Sequence, residues 1–415
     1  MMPNYWRNVL SVFTGSAVAQ LIPVLGALII ARQYGPEEFG KFSAWLGVVV
    51  VASTMLTARL EISLVLERDG RFRNIAAFVV LITTFLLGLL GAGSVAIYYF
   101  LIENEYFNNI YLLGLLIPCS ILFSLNQIWQ SWAAADGRYR ELNILRVTQA
   151  VCVVVPQIIA GELIASASSL AFAFGIGLLA SQIVAVKIMT LSIPPLRKWK
   201  KLTVGYWRRH KKFPIYSLPA DTINALAIQL PVLIVASRFG AESAGFLALA
   251  IRVLGMPLSF LGKAVLDVFK RQASVAYRDR GECRSEYMRT FFVLSGGSLI
   301  FVLSAYFLSE PAFGLAFGAE WLTAGTYSVL LLPMFAFRFV ASPLSYIIYI
   351  VNKQQVDLFW QIALLLVTVV SLSYSSSVHG AILLYSWGYS VLYIVYLIIS
   401  YIYSKGNQPL RNELQ

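Results

Sequence analysis

The stretch Ala31-Arg-Gln-Tyr-Gly-Pro-Glu-Glu-Phe-Gly40 has a counterpart in the second half of the chain, Ala236-Ser-Arg-Phe-Gly-Ala-Glu-Ser-Ala-Gly245. Both stretches carry alanine, an aromatic residue, glycine, glutamate and glycine at the same spacing. Each ends one long apolar run and begins the next, so the repeated unit is a bundle of helices that cross a membrane. A duplicated bundle of this kind is typical of secondary transporters.

The composition agrees with a polytopic membrane protein. Hydrophobic residues make up 59% of the chain and charged residues only 13%, with a mean hydropathy of +0.73. A helix needs about 20 apolar residues to cross the hydrocarbon core of a bilayer. The sequence predicts twelve such runs, at residues 11–31, 42–66, 75–101, 110–132, 147–164, 169–191, 215–236, 244–269, 290–308, 327–351, 356–373 and 381–401.

The basic residues predict the orientation of these helices. When the loops are assigned alternately to the two sides, 24 of the 32 Lys and Arg residues fall on one side. Cytoplasmic loops carry the excess of positive charge, so we expect both termini in the cytoplasm. The net charge of +12 then reflects topology, and we expect no nucleic-acid partner. The predicted fold is all-α, with twelve transmembrane helices in two parallel six-helix lobes.

The predicted lobes are residues 1–192 and 214–415, joined by a basic cytoplasmic linker at 193–213. Eight Lys and Arg residues lie at 197–212, interleaved with Trp199, Tyr206 and Trp207. Two interpretations fit this composition. The linker either lies on the anionic lipids of the inner leaflet, or it is a solvated segment that enforces the topology.

Several kinds of catalytic site are excluded or disfavoured. The chain has two histidines and three cysteines without C-x-x-C spacing, so we expect no metal, no cofactor and no disulfide framework. The G-x-G-x-x-A run that begins at Gly175 lies inside an apolar segment without a preceding strand, which favours close helix packing over dinucleotide binding. No predicted outer loop is long enough for a catalytic domain.

Charged residues inside predicted helices are the best candidates for function, because an ionised group near the bilayer centre costs at least about 2.5 to 3.5 kcal/mol without a partner or an aqueous cavity. In the eighth predicted helix, one face carries Arg252, Met256, Ser259, Lys263 and Asp267.

The tenth helix repeats this pattern with Arg338, Ser342 and Ser345. Both helices are therefore predicted to present cationic faces.

The first half adds Arg59 and Glu61 on the second predicted helix, and their i, i+2 spacing prevents both from lining one cavity. Arg59 either faces a cavity or extends to the membrane interface. On the fourth helix, Ser124 and Gln127 belong to a polar face that suits sugar hydroxyls or hydrogen bonds between helices.

The seventh helix begins with Phe213-Pro-Ile-Tyr-Ser-Leu-Pro-Ala-Asp221 and continues through Asn224 and Pro231. Its two interior prolines, Pro219 and Pro231, match the first helix, which is interrupted by Gly15, Pro23 and Gly26 at the corresponding place in the repeat. Paired interruptions of this kind predict a hinge and a binding region. Asp221 and Asn224 are the polar candidates beside it, Asp221 for ion coupling and Asn224 for the lining of a cavity.

These stretches resemble a known family. The segment 212–231, followed by Phe239-Gly-Ala-Glu-Ser-Ala-Gly-Phe-Leu-Ala-Leu-Ala-Ile-Arg-Val-Leu-Gly-Met-Pro-Leu-Ser259, is similar to the second half of Wzx-type polysaccharide and O-antigen flippases. Thr14-Gly-Ser-Ala-Val-Ala-Gln-Leu-Ile-Pro23 is similar to their opening. Those flippases belong to the multidrug/oligosaccharidyl-lipid/polysaccharide (MOP) exporter superfamily.

The resemblance implies a flippase of the bacterial inner membrane. Its substrate would be an undecaprenyl-diphosphate-linked oligosaccharide, moved to the outer leaflet by alternating access through a cationic cavity. Arg252 occupies the arginine of the family-like run, and Arg338, Lys263 and Arg59 are added by their depth in the membrane. Asp221, Glu61 and Asp267 are placed either to couple an ion flux or to form structural salt bridges.

Other functions stay open. A multidrug or cation antiporter of the same superfamily would have the same number of helices but would favour an acidic cavity. A lipid II flippase is a closer alternative, and a membrane glycosyltransferase or polymerase would need a large external loop. Polysaccharide polymerase and chain-length proteins are possible partners of a flippase.

Overall fold

The structure is a computed structural model. It describes residues 2–67, 70–101, 110–188, 195, 197, 199–351 and 353–406, and within these ranges it leaves the side chains of 2–17, 97–101, 259–260, 263–264, 267 and 354 undescribed.

The described chain is helical and contains no strand. It has fourteen α-helices: α1 (Met2–Gln33), α2 (Pro36–Leu56), α3 (Arg71–Leu101), α4 (Ile110–Ala135), α5 (Tyr139–Leu163), α6 (Ala167–Ile188), α7 (Trp199–Arg209), α8 (Leu218–Phe239), α9 (Ala241–Arg280), α10 (Arg284–Phe317), α11 (Leu322–Leu344), α12 (Ile347–Ile350), α13 (Gln354–Tyr374) and α14 (Val378–Ser404). Short 3₁₀ segments lie at Leu60–Leu66 and Ala319–Trp321, and a π-helical turn lies at Phe213–Ser217.

The polytopic prediction is confirmed. Among the described residues, eleven helical segments are long and apolar enough to cross a membrane. The first predicted run falls in α1, where Val18–Gln33 forms a shorter apolar helix.

The repeated sequence forms the same structure twice. Gly35 precedes α2 with φ 51° and ψ 163°, and Gly240 precedes α9 with φ 92° and ψ 163°. Positive φ at these angles is almost restricted to glycine, which explains why both copies keep it. Each glycine is followed by a helix with glutamate in its first turn, where the helix dipole favours negative charge.

The chain divides into two compact units, Met1–Gln229 and Leu230–Gln415. This division lies inside α8, whereas the sequence predicted lobes on either side of 193–213. In the first unit, α5 packs against α1 and α6, and α4 packs against α2, α3 and α6. In the second unit, α11 is central and contacts α9, α10 and α14.

The glycine-rich run of α6 serves close packing, as predicted. A Cβ atom added to Gly177 would lie 2.6 Å from Val153 Cα and would also meet the carbonyl oxygen of Cys152. Only a residue without a side chain lets α5 approach α6 this closely.

The predicted helix at 42–66 is interrupted. Helix α2 ends at Leu56, Ala58 and Arg59 adopt left-handed conformations, and a 3₁₀ segment follows. The Thr57 hydroxyl accepts a hydrogen bond from the Arg59 backbone N–H at 3.2 Å, which supports the turn. This local bond competes with the helix, and hydropathy does not report it.

Candidate functional site

A charge cluster lies in the first unit where the turn after α2 meets the start of α8. Arg59 Nε donates to Asp221 Oδ2 at 2.6 Å, and Arg59 Nη1 donates to Glu61 Oε1 at 2.9 Å. The left-handed backbone of Arg59 makes the contact with Glu61 possible, since Arg59 and Glu61 no longer lie on one regular helix. Asp221 lies in the first turn of α8, where its negative charge also interacts favourably with the helix dipole.

The cluster is unevenly buried. The side chain of Glu61 is 3% exposed, that of Arg59 23% and that of Asp221 33%. Glu61 Oε2 is buried without a hydrogen-bond partner among the described residues. Two carboxylates therefore share one guanidinium. Burial raises the pKa of Glu61 above its ordinary value, although the Thr57 hydroxyl and the charge of Arg59 both act to lower it.

The basic linker forms a helix that packs on this region. Tyr206 Oη and Ser63 Oγ share a hydrogen bond of 2.6 Å, and Trp207 Nε1 donates to Thr83 Oγ1 at 3.0 Å.

His210 Nε2 lies 2.7 Å from Glu67 Oε1, at the end of the 3₁₀ segment. Lys200, Lys201 and Arg208 are exposed on α7, and the exposed Arg209 donates from Nη1 to the same Glu67 oxygen at 3.5 Å. The linker is therefore packed against the rest of the first unit, and the residues that it exposes are mainly basic.

The polar candidates of the first unit occupy different environments. Ser124 is buried, and its hydroxyl donates to the carbonyl oxygen of Ser53 at 3.0 Å, so it joins α4 to α2. Gln127 Oε1 is buried without a hydrogen-bond partner among the described residues, while Asn224 is exposed on α8. No hydrogen bond among the described residues links these three side chains.

A cavity in the second unit contains one of the predicted cations. It has a volume of about 210 Å³ and is lined by residues of α9 and α11, which include Gly255, Gly262, Arg338 and Ser342. Arg338 and Ser342 are one turn apart on α11, as the sequence pattern predicted. The guanidinium of Arg338 also lies 5.9 Å from the centre of the Phe335 ring.

The other cationic face belongs to α9. Arg252 is exposed and lies within the candidate membrane span Ala241–Leu258. The backbone of Ser259, Lys263 and Asp267 continues this helix, but their side chains lie outside the described part of the structure. Their predicted roles therefore stay predictions.

The predicted hinge residues lie within or next to helices. Helix α1 is continuous through Gly15 and Pro23. Pro219 lies in the first turn of α8, directly after the π-helical turn, and Pro231 is buried inside the same helix. A proline inside a helix removes a backbone hydrogen bond, so Pro23 and Pro231 each leave a weak point in a continuous helix.

The sequence reasoning did not single out Asp357. Its carboxylate accepts hydrogen bonds from Tyr349 at 2.9 Å, Gln361 at 2.8 Å and Tyr396. The signal that could have found it is an acidic residue at the start of the predicted run 356–373, with Gln361 one turn later. The described residues contain no group of three or more His, Cys, Asp or Glu side chains that could hold a metal ion.

The chain shares its fold with proteins of known structure. The chain is similar to the structure of the lipid II flippase MurJ in an inward closed conformation, with a TM-score of 0.69 and 15% identity over 94% of this chain and 89% of that one. It is also similar to a ligand complex of the MATE multidrug transporter DinF-BH, with a TM-score of 0.64 and 16% identity over 97% and 95% of the two chains. These likenesses place it in the fold of the MOP exporters.

The family follows from the sequence. A family model described as "Polysaccharide biosynthesis protein" matches residues 12–326, and the chain belongs to this family of flippases. A comparison with curated protein sequences gives no significant match. Its relatives by family and by structure are flippases and transporters.

Proposed function

We propose that this chain moves an oligosaccharide linked to undecaprenyl diphosphate from the inner to the outer leaflet of the bacterial inner membrane. The transported oligosaccharide would be a repeat unit of O-antigen, exopolysaccharide or capsule. Transport proceeds by alternating access, and the chain is not an enzyme and needs no cofactor. Polymerase and chain-length proteins are the expected partners on the outer side.

One observation carries the proposal. Arg252 and Arg338 are both exposed although they lie in candidate membrane spans of a polysaccharide-biosynthesis protein. An ionised group at this depth needs water, a partner or an anionic ligand, and we assign the two arginines to an anionic ligand. Guanidinium groups suit a diphosphate because they donate parallel hydrogen bonds to two of its oxygens. Lys263 is a weaker candidate for the same role.

Arg59 differs from the other cations because Asp221 and Glu61 already neutralise it. We assign this cluster to coupling instead of substrate binding. Protonation of Asp221 would leave the guanidinium with Glu61 as its one charged partner and would weaken the link between the turn after α2 and α8. Asp267 is a further candidate for coupling by its position on α9.

The same cluster gives the competing function its support, because it holds two acids for one base. A cation antiporter needs acidic groups of this kind, and DinF-BH, which has a similar fold, is a multidrug transporter. A lipid II flippase is the second alternative, by similarity to MurJ. The two alternatives predict efflux of a cationic dye and rescue of a strain that lacks its lipid II flippase, respectively.

The test compares Arg252→Ala with Arg278→Ala in a strain deleted for the gene. Arg278 lies on the same helix, outside the candidate span, with a side chain that is 76% exposed. We expect Arg252→Ala to lower surface polysaccharide by about tenfold to a hundredfold, which is the usual effect of losing a charge-assisted hydrogen bond. The amount of protein in the membrane should stay unchanged. Arg252→Lys should retain partial activity. Normal export by Arg252→Ala would overturn the role of this arginine.

A further inference from the structure

The second unit contains an apolar groove that the proposed function does not use. It has a volume of about 680 Å³ and is lined by side chains of α10, α11 and α14. On α10 it extends from Tyr287 to Val302, which the rise of 1.5 Å per residue converts to about 22 Å. Leu299 and Ile398 line it and are 60% and 54% exposed, so the groove is open along one side.

The walls offer little to a polar ligand. The hydroxyl of Ser298 is engaged by the carbonyl oxygen of Ala336 at 3.0 Å, and that of Tyr287 by Ser400 at 2.9 Å. With these two hydroxyls satisfied, the groove presents mainly methyl, methylene and ring surfaces. An apolar chain is the occupant that gains most from such a surface.

One end of the groove is basic. Tyr401 lines this end, and its ring has Lys405 Nζ at 4.6 Å and the guanidinium of Arg284 at 5.8 Å from its centre. Both cations are exposed, and neither has an ion pair among the described residues. The nearby Glu286 is held by Arg280 and Ser285. An anionic group at this end would therefore meet two available cations.

We propose that the groove binds an anionic phospholipid of the inner leaflet, with one acyl chain along α10 and its phosphate between Arg284 and Lys405. The length of the groove decides between lipid classes. A bilayer is about 40 to 45 Å thick with its headgroups, so about 22 Å corresponds to one leaflet and one acyl chain. The polyprenyl chain of a carrier lipid is much longer than a leaflet. Both cations also lie in segments that the sequence predicts to be cytoplasmic, where anionic lipids are concentrated.

The test is native mass spectrometry of the full chain, taken from nanodiscs that contain equal amounts of phosphatidylglycerol and phosphatidylcholine with the same acyl chains. We expect the wild type to retain phosphatidylglycerol in preference. In the double variant Arg284→Gln/Lys405→Gln, the preference for phosphatidylglycerol should fall by about fivefold for each cation that is removed. Arg271→Gln, an exposed arginine without a stacked ring, is the matched control and should behave as the wild type.

A second variant tests the groove itself. Ser295→Phe places a ring in the groove and should abolish retention of both lipids, whereas Val293→Phe, on an exposed position of α10 outside the groove, should not. Thermal melting shows whether each variant is folded. Equal retention of the two lipids by the wild type, or full retention by a folded Ser295→Phe variant, would each overturn the proposal.

Discussion

Arg59 Nε and Asp221 Oδ2 are 2.6 Å apart, so the turn that ends α2 is fastened to the first turn of α8. The two residues are far apart in sequence, and each was a separate candidate on a separate predicted helix. Their contact gives Arg59 a partner on α8, whereas Arg252 and Arg338 have exposed side chains.

The first prediction concerns the strength of this contact. Asp221→Asn and Arg59→Gln should each destabilise the protein by roughly 1 kcal/mol, between the values for exposed and buried ion pairs, because both side chains are partly exposed. In a double-mutant cycle, the two losses should be less than additive. Asp279→Asn, on an exposed side chain of the second unit, is the control.

Thermal unfolding in detergent measures the stability, and protonophore-sensitive export measures coupling. A stable Asp221→Asn variant that binds substrate but has lost its dependence on the proton gradient would support the coupling role. Strict additivity, together with unchanged export and protonophore sensitivity, would remove Asp221 from both roles.

The second prediction is a dependence of stability on pH. The ordinary pKa of a glutamate is about 4.3, and burial raises that of Glu61 in the folded protein. The folded state then holds the proton more tightly than the unfolded state. The contribution of Glu61 to the free energy of unfolding is therefore fully present below the ordinary pKa of glutamate. It is lost as the pH rises through the raised pKa of the folded protein.

Glu61→Gln should make the melting temperature less dependent on pH across this window, because the amide cannot lose a proton. Glu37→Gln, at an exposed side chain paired with Lys41, should leave the profile of the wild type unchanged. A Glu61→Gln profile that is identical to that of the wild type would show that Glu61 does not titrate in this range.

Much of the fold could be predicted because its signals are local. Twenty-residue apolar runs predict spans, and the repeated glycines predict the two turns at Gly35 and Gly240. The break at Ala58 and Arg59 could not be predicted, since neither proline nor glycine marks it. The Arg59–Asp221 pair, the packing of Tyr206 on Ser63 and the hydrogen bond from Tyr396 to Asp357 depend on contacts between distant segments, which periodicity does not report.

The third prediction tests the close approach of α5 and α6. Gly177→Ala should destabilise the protein by about 1 to 3 kcal/mol, the usual effect of overpacking, because its Cβ would meet the backbone of Cys152 and Val153. Gly114→Ala is the control, since nothing lies within 4 Å of its added Cβ. Thermal melting and the yield of folded protein measure both. Equal stability of the two variants would contradict the packing.

The fourth prediction tests the cavity beside Arg338. Gly262→Leu should fill part of its 210 Å³ and strongly reduce export, while the protein stays folded. Nothing lies within 4 Å of an added Cβ at Gly262, and leucine favours a helix by about 1 kcal/mol over glycine. Gly296→Leu, at an exposed and equally open position of α10, should export normally. Full export by Gly262→Leu would show that the substrate does not need this cavity.

The last prediction concerns orientation, which rests on the distribution of basic residues. Cys119, Cys152 and Cys283 are first replaced to give a cysteine-free protein. Lys201→Cys, on the exposed face of α7, should react with a membrane-impermeant thiol reagent only after the cells are opened. Glu320→Cys, an exposed position in a predicted outer loop, should react in intact cells and shows that the reagent reaches the protein. Labelling of Lys201→Cys from outside, in cells that keep the reagent out, would reverse the predicted topology and place the basic face of α7 away from the anionic inner leaflet.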